Sequence, residues 1–559
     1  MTSPRNIGNT RDLNQLDKED ILSYWPFGEF PPRISQEIIQ EWVQKEVGPH
    51  IKYIICEIPV GGGKSPLALN LSGWFSRSFG NSYILTPQKI LQKQYEDSFP
   101  EHLLHTIYGK SNYKCEPKNT NCDIGGDFKP KCGDCPHRTA FQRVAPASNV
   151  VLNYALALNF FKYVAGMEGS PIVPRKLIVF DEAHTLENHL TEFNAVSFSE
   201  LRCKKLGIRF QSPKYITEAM TWINQQYIPA LRRKIAEIVP VAQRVMDEME
   251  YDSGRKLTMD EQSLLKDVKE LKAHLESIVE GLTSKSIEEL DERYVLVNES
   301  KTSFKFKELY GKYIFRDLVE PMADRFLFMS STILDKDSFC SDLGIDPDQT
   351  VFISIPSEFP KDNRPVMYMP TIKMTYGWDS DQMRPQRRKM IERIAQLCKE
   401  IHPDESGVIH TGSFQVAKWL VTELQNKIPH EIYHHNPESG FKRDDIINQF
   451  QTNDGLPKIL ISPSVTEGLD LKHDLGRFAI FAKVPYPYMG DAWIKKRMSL
   501  SNTWYMIQAL IAMIQGGGRV VRSPDDWGHV YILDTAWENL YRRAKYMIPK
   551  WWKDSYTVM

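Results

Sequence analysis

The sequence predicts an α/β protein with two parallel-sheet domains, the first of them interrupted by two insertions. Three observations predict it. Short apolar runs alternate with helical segments at both ends of the chain, which is the order a parallel sheet with crossover helices imposes. A Gly-rich run, Ile58-Pro59-Val60-Gly61-Gly62-Gly63-Lys64-Ser65, follows the first strand-like stretch and leads into a helix. Two stretches then break the alternation, one rich in cysteine and one dominated by charged helices.

The elements follow in order. Residues 1–33 read as a polar, then Pro-rich, lead-in arm. Ile34 to Val47 reads as an amphipathic helix, with Ile38, Ile39, Trp42 and Val43 at helical spacing. Tyr53 to Ile58 is a β-like run that delivers the Gly-rich loop, Leu67 to Phe79 is helical, and Ser82 to Thr86 is a buried-type strand. Residues 109–148 carry Gly, Pro, Asn, Lys and Cys without apolar periodicity, so they read as an insertion. Asn149 to Asn153 and Lys176 to Phe180 return to strand character. Residues 195–310 read as a mostly helical insertion, with helices expected over Ala236–Glu250 and Thr258–Leu282. The second shows Leu264, Leu265, Val268, Leu271, Leu275 and Ile278 on one stripe. Further strands are expected at Phe326–Met329, Val408–His410, Lys458–Ile461, Phe478–Phe481 and His529–Leu533.

Composition bounds the reading. At 559 residues the chain has room for three or four domains of about 150 residues. A hydrophobic content of 42% and a charged content of 25% are those of an ordinary globular protein. The formal net charge of −1 argues neither for nor against nucleic acid, because a local basic channel suffices for phosphate contacts. The first residues lack the apolar core of a secretory signal, and no apolar run approaches the ~20 residues needed to cross a bilayer. No membrane partner is expected, and the expected location is the cytoplasm, nucleoid-associated or in a host cytosol. Of eight cysteines, four (Cys115, Cys122, Cys132 and Cys135) fall in one stretch. Metal binding explains that clustering better than disulfides do.

The chemistry starts at the Gly-rich loop. Gly61, Gly62 and Gly63 let backbone N–H groups approach phosphates at a helix N-terminus. Lys64 would reach the β- and γ-phosphates of ATP, and Ser65 would hold Mg²⁺. The alternative is an ordinary Gly-rich turn. Asp181-Glu182-Ala183-His184 follows the apolar strand LIVF. Asp181 is placed to coordinate Mg²⁺ and Glu182 to orient the attacking water; the alternative is a solvated helix start capped by Asp181. Gln515-Gly516-Gly517-Gly518-Arg519-Val520-Val521-Arg522 adds two arginines, Arg519 and Arg522, spaced to share a helical face. Guanidinium groups stabilise charge on a γ-phosphate in transfer.

These motifs, in this order, resemble the XPD/DinG-type superfamily 2 iron–sulfur DNA helicases over nearly the whole chain. By that resemblance Arg33 and Gln36 form an adenine-sensing element, and Asp470 of Glu467-Gly468-Leu469-Asp470 joins the nucleotide site. Thr86, Gln94, Asn153, His184, Ser330, Thr332, Thr411, Ser413, Phe414 and Glu467 match DNA-contact or coupling positions. Ser331 and Gly62 replace commoner family choices.

The resemblance implies two RecA-like motor domains. The expected bounds are 1–108 for the arm and first part of motor domain 1, 109–148 for an Fe–S domain, 149–194 for motor domain 1 continued, 195–310 for a helical arch, 311–345 for the rest of motor domain 1, and 346–559 for motor domain 2. It also implies ATP-dependent 5′→3′ translocation on single-stranded DNA and unwinding of forked DNA. An RNA motor of the DEAH type, and an ATP-regulated scaffold or translocase without autonomous unwinding, are the alternatives.

Thiolates suit zinc and Fe–S clusters alike. Only Cys132 and Cys135 have zinc-knuckle spacing, and the resemblance favours [4Fe–4S], with the insertion acting as a duplex-splitting wedge. Lys114, Lys118, Lys129, Lys131, His137 and Arg138 make the insertion locally basic. Phe414, Tyr486, Tyr488 and Trp493 are candidates for stacking on bases.

Overall fold

The computed structural model describes residues 21–28, 30–126, 135–252, 255–434, 443–452, 455–463 and 473–559. Two seven-stranded parallel sheets dominate it. The first orders its strands Thr350–Ser354, Tyr53–Glu57, Ala323–Ser330, Arg175–Asp181, Ser82–Thr86, Asn149–Asn153 and His105–Thr106. The second orders them Glu431–His434, Lys458–Ser462, Gly407–His410, Phe478–Phe481, His529–Asp534, Val366–Ile372 and Tyr556–Val558.

The apolar runs read from the sequence are the central strands of these sheets. Tyr53–Glu57 and Ser82–Thr86 are buried along their whole length. A strand covered on both faces needs a continuous apolar run rather than an alternating one. Strands of the two large sheets that the sequence reading does not name lie at or next to the edges: Thr350–Ser354, His105–Thr106, Glu431–His434, Val366–Ile372 and Tyr556–Val558. Thr350–Ser354 pairs with Tyr53–Glu57 in register Tyr53 to Thr350. The first sheet therefore runs past residue 345, and the chain changes sheets after Ser354.

The helical insertion contains Ile228–Tyr251 and Met259–Ile278, packed against each other. Leu265, Leu271 and Ile278 are buried, and Leu264, Val268 and Leu275 pack beside them. The helices are not the whole insertion. Val196–Ser199, Ser303–Glu308 and Tyr294–Ser300 form a three-stranded antiparallel sheet at its root. Phe198, Phe304 and Phe306 stack the helices onto that sheet. The insertion is mostly helical, as the sequence predicts, and this small sheet adds to that reading: its strands are short, and two of them are joined by a two-residue turn at the end of a long charged stretch.

The cysteine insertion docks on the same helices. Ile124 joins Ala242, Val245, Met249, Leu257 and Leu265 in one apolar cluster, and Thr120 Oγ1 donates to Gln262 Oε1 at 2.9 Å. The two insertions therefore form one continuous apolar and hydrogen-bonded surface.

Candidate active site

The site forms where the first sheet's carboxyl ends face the second domain. The strand Tyr53–Glu57 delivers the Gly-rich loop to the helix Lys64–Ser76. Gly61 and Gly63 have φ of 79° and 72°, a region that side chains other than glycine enter at a cost. A Cβ on Gly63 would collide with the Gln36 amide, and one on Gly61 with the Phe359 ring. Gln36 Nε2 donates to Gly63 O at 2.8 Å, and the Arg33 guanidinium donates to Gly61 O. Arg33 and Gln36 therefore lie against the loop. Ser65 lies in the first turn of the helix, and its hydroxyl and the Asp181 carboxylate both bear on Tyr95.

Asp181 ends the strand Arg175–Asp181 and is buried. Tyr95 OH is 3.3 Å from its Oδ2, and Tyr154 OH donates to its carbonyl at 2.6 Å. Glu182 follows with φ 53°, which turns its carboxylate onto Lys64, Nζ to Oε1 2.5 Å. Its second oxygen, Oε2, is buried and accepts no hydrogen bond. His184 Nδ1 lies 2.8 Å from Ser330 Oγ.

The electrostatics follow from burial and close pairing. Burial disfavours the Lys64 charge, but Glu182 and Asp181 together outweigh it and raise its pKa. Burial pushes Asp181 up to about 6, with Lys64 pulling the other way. Glu182 is held below its ordinary range because Lys64, by charge and by hydrogen bond, outweighs its burial. Burial lowers His184 to about 4, so its imidazole is neutral. A buried carboxylate pair beside one ammonium, with one oxygen that accepts no hydrogen bond and lies 3.4 Å from the His184 ring, is the donor set that a divalent cation and a polarised water fit.

The second domain closes the site. Gln515 Nε2 donates to Thr332 Oγ1 at 2.8 Å and lies 3.0 Å from Ser331 Oγ. Arg519 acts on Glu182 and Arg522 on Lys64, and the Arg522 carbonyl lies against Gly61. The two arginines do not share a helical face, however. Their helix, Asn502–Gly517, ends with Gly518 as its cap. The three glycines that precede Arg519 terminate the helix, and the arginines lie in the turn and irregular segment beyond it.

Other candidate positions distribute unevenly. Thr86 is buried at a strand end and donates to Gln88 O, whereas Gln94 is exposed. The buried glutamine nearby is Gln92, which donates to Ile107 O at 2.6 Å and lies 3.4 Å from the Asn153 amide. Asn153 caps the helix Tyr154–Tyr163. Thr411 is buried and donates to Ser413 O, Ser413 caps the helix Phe414–Leu424, and Phe414 is exposed. Glu467 and Asp470 lie outside the described residues.

The stacking candidates divide. Tyr488 is exposed and Tyr486 stacks on Tyr505. Trp493 is 6% exposed and donates from Nε1 to Glu308 O at 2.7 Å. It pins the second domain to the root sheet of the helical insertion and is removed as a base-stacking candidate. Tyr95, Tyr154 and Phe359 were missed. Each reads in sequence as an ordinary core aromatic, and only their contacts with Asp181 and Gly61 single them out.

In the cysteine insertion, Cys122 Sγ and Cys135 Sγ stand 3.6 Å apart. The absence of a side chain at Gly125 leaves room for the Cys115 thiol. Burial, then Cys135 and Cys115, push the Cys122 thiol up to about 12. Cys132 lies outside the described residues. Among the described residues no group of three or more His, Cys, Asp or Glu side chains is set to hold a metal ion.

Comparison with known proteins adds relatives. Residues 394–555 match the helicase C-terminal domain family. Among curated relatives, the regulator of telomere elongation helicase 1 homolog of Anopheles gambiae is 30% identical over 94 residues, 14% of this chain and 10% of that one. The general transcription and DNA repair factor IIH helicase subunit XPD of Schizosaccharomyces pombe is 32% identical over 95 residues, 16% of this chain and 12% of that one. The Fanconi anemia group J protein homolog of Gallus gallus is 27% identical over 165 residues, 26% of this chain and 12% of that one. The matched segments thus span only about a tenth of these relatives' length.

The fold is shared far more widely. A solved XPD helicase superposes with a TM-score of 0.58 at 16% identity, covering 95% of this chain and 100% of that one. S. tokodaii Xpd4 gives a TM-score of 0.54 at 13% identity, covering 94% and 100%. With two RecA-like sheets, a helicase C-terminal domain match over 394–555 and the fold of solved XPD helicases, the chain is similar to the XPD/DinG-type superfamily 2 helicases.

Proposed function

We propose that this chain is an ATP-driven DNA helicase that moves 5′→3′ along single-stranded DNA and opens forked duplex. One observation carries the reading: an unbroken path of polar contacts from the phosphate loop to the second domain. Lys64 pairs with Glu182, Glu182 stands beside His184, and His184 contacts Ser330. The next two residues, Ser331 and Thr332, meet Gln515. A change at the γ-phosphate therefore has a short route to the domain cleft.

In this mechanism Lys64 would leave Glu182 for the β- and γ-phosphates, and Ser65 and Asp181 would hold Mg²⁺. Glu182, released from Lys64, orients the attacking water. Arg519 and Arg522 stabilise charge on the phosphoryl group in transfer, so nucleotide binding draws the second domain in. The names of the relatives, one a DNA repair helicase subunit, support DNA as substrate; the polarity rests on family likeness. Cys115, Cys122, Cys132 and Cys135 are proposed to hold a [4Fe–4S] cluster, which would supply a cross-link to a small, core-poor insertion. Iron, sulfide and zinc analysis of anaerobically purified protein tests that part directly.

Strand displacement on 5′-tailed and 3′-tailed duplexes tests the motor, with Lys64→Ala as the blank. Unwinding of the 5′-tailed duplex alone, lost in the blank, is the expected result. DNA-stimulated ATPase without unwinding would favour a translocase or scaffold, and stimulation by RNA alone an RNA motor.

A further inference from the structure

One buried acid has no part in the mechanism above. Glu57 is the last residue of the strand that leads into the phosphate loop, and it is 2% exposed. Its Oε1 accepts from Ile333 N at 3.0 Å and Leu334 N at 2.8 Å, and its Oε2 accepts from Ser354 Oγ at 2.5 Å. A carboxylate buried this deeply is costly unless its oxygens are well satisfied, and here its three donors, two backbone N–H groups and one hydroxyl, are all neutral. Burial raises its pKa while these three bonds lower it.

The segment it holds is unusual. Leu334 has φ 69°, and Asp335 N donates to Ile333 O at 2.8 Å. That is a γ-turn of the rare positive-φ kind, which is strained for a residue other than glycine and persists only where its surroundings enforce it. The two N–H groups that Glu57 accepts belong to the first and central residues of this turn. The turn also sends its side chains opposite ways. Ile333 enters the core of the first domain, whereas Leu334 enters a cluster made largely of the second domain's residues, among them Val520, Val521 and Ile514. Those residues flank Gln515 and Arg519. The turn itself directly follows Ser330-Ser331-Thr332.

We propose that Glu57 is a positioning residue that clamps this γ-turn and so drives Leu334, as a fixed knob, into the second motor domain. The phosphate loop begins at the next residue, and Ile58 N donates to Ser330 O at 2.7 Å. Movement of the loop thus reaches the second domain by a packed apolar route beside the polar Gln515 route. The proposal rests on the motor reading for its consequence in turnover, but the clamp itself is testable without turnover.

The test uses the full chain with Glu57→Ala, Glu57→Gln and Leu334→Ala. Amide hydrogen exchange is followed over 331–335 and 513–522, with and without a non-hydrolysable ATP analogue, together with analogue affinity and DNA-stimulated ATPase. Glu57→Gln keeps an acceptor for both N–H groups and is expected to behave as wild type. Glu57→Ala and Leu334→Ala are expected to bind the analogue within about threefold of wild type yet lose the analogue-induced protection over 513–522. Their DNA-stimulated kcat is expected to fall about tenfold with little change in the KM for ATP.

Three results would overturn the clamp: unchanged protection in Glu57→Ala, the same loss in Glu57→Gln, or a parallel loss of analogue affinity in Glu57→Ala. Should Glu57→Ala fail to fold, Leu334→Ala and Glu57→Gln decide. Failure of the motor reading is separate: wild-type protein would show no DNA-stimulated hydrolysis, while the exchange data would still report on the turn.

Discussion

Gln515 holds a position that no single domain explains. It ends one turn before the cap of its own helix and spends both amide hydrogens on hydroxyls of the other domain. Replacing it with Ala leaves the phosphate loop, Lys64 and Glu182 untouched. Steady-state kinetics of Gln515→Ala are therefore expected to show a kcat about tenfold lower, with the KM for ATP nearly unchanged. An equal rise in KM would instead place Gln515 in ground-state nucleotide binding. Lys64→Ala should be more severe, about a hundredfold or more in turnover, because the phosphate loses its cation and Glu182 is left buried without a partner.

At the scale of elements, the helix Ala492–Leu500 joins three parts of the molecule. Arg497 is 2% exposed and pairs with Glu187 at 2.9 Å and Asp342 at 2.6 Å, both on the first domain. Its guanidinium also lies over the rings of Tyr310, Trp493 and Trp504. One cation thus serves two acids. Burial, then the neighbouring Asp342, push Glu187 up to about 8, with Arg497 opposing them.

The sign follows from linkage. A carboxyl whose folded pKa lies above its unfolded value costs stability as pH rises from about 4.5 toward about 8. Glu187→Gln removes that cost and keeps an acceptor for Trp504 Nε1. Denaturant titration is expected to show the variant gaining on wild type between pH 5.5 and 8.5; a constant difference would mean Glu187 is ionised throughout. Arg497→Leu leaves two facing acids and is expected to cost about 3–5 kcal/mol.

Across the whole molecule, buried neutral histidines set the acid limit. Burial, then Arg202, lower His274 to about 3 in the helical insertion. Burial, then Arg519, lower His410 to about 3 in the second domain. A base whose folded pKa lies below its unfolded value contributes stability that is present above about 6.5 and is lost as pH falls below it. Each such histidine adds a slope of up to about 1.4 kcal/mol per pH unit. Urea midpoints measured from pH 7 to pH 4 should fall steeply, and His274→Gln should flatten that fall. A pH-independent midpoint would mean these rings are hydrated in the fold.

What the sequence determined by itself was every feature carried by a local pattern. The central strands were legible because a strand covered on both faces must be apolar throughout, as in Ile54, Ile55, Val150, Val151, Ile178 and Val179. The strand–loop–helix placement of the Gly-rich run and the strand-end placement of Asp181 were legible because those residue types stand at fixed spacing after apolar runs.

Tertiary structure alone decided the rest. Edge strands such as Thr350–Ser354 carry a weak pattern, since one side meets solvent. Trp493 looked like a stacking aromatic until the root sheet of the insertion buried it. Glu57, Gln515 and Leu334 act through partners hundreds of residues away in sequence. No local pattern encodes such a contact, because it depends on which surfaces the two sheets bring together.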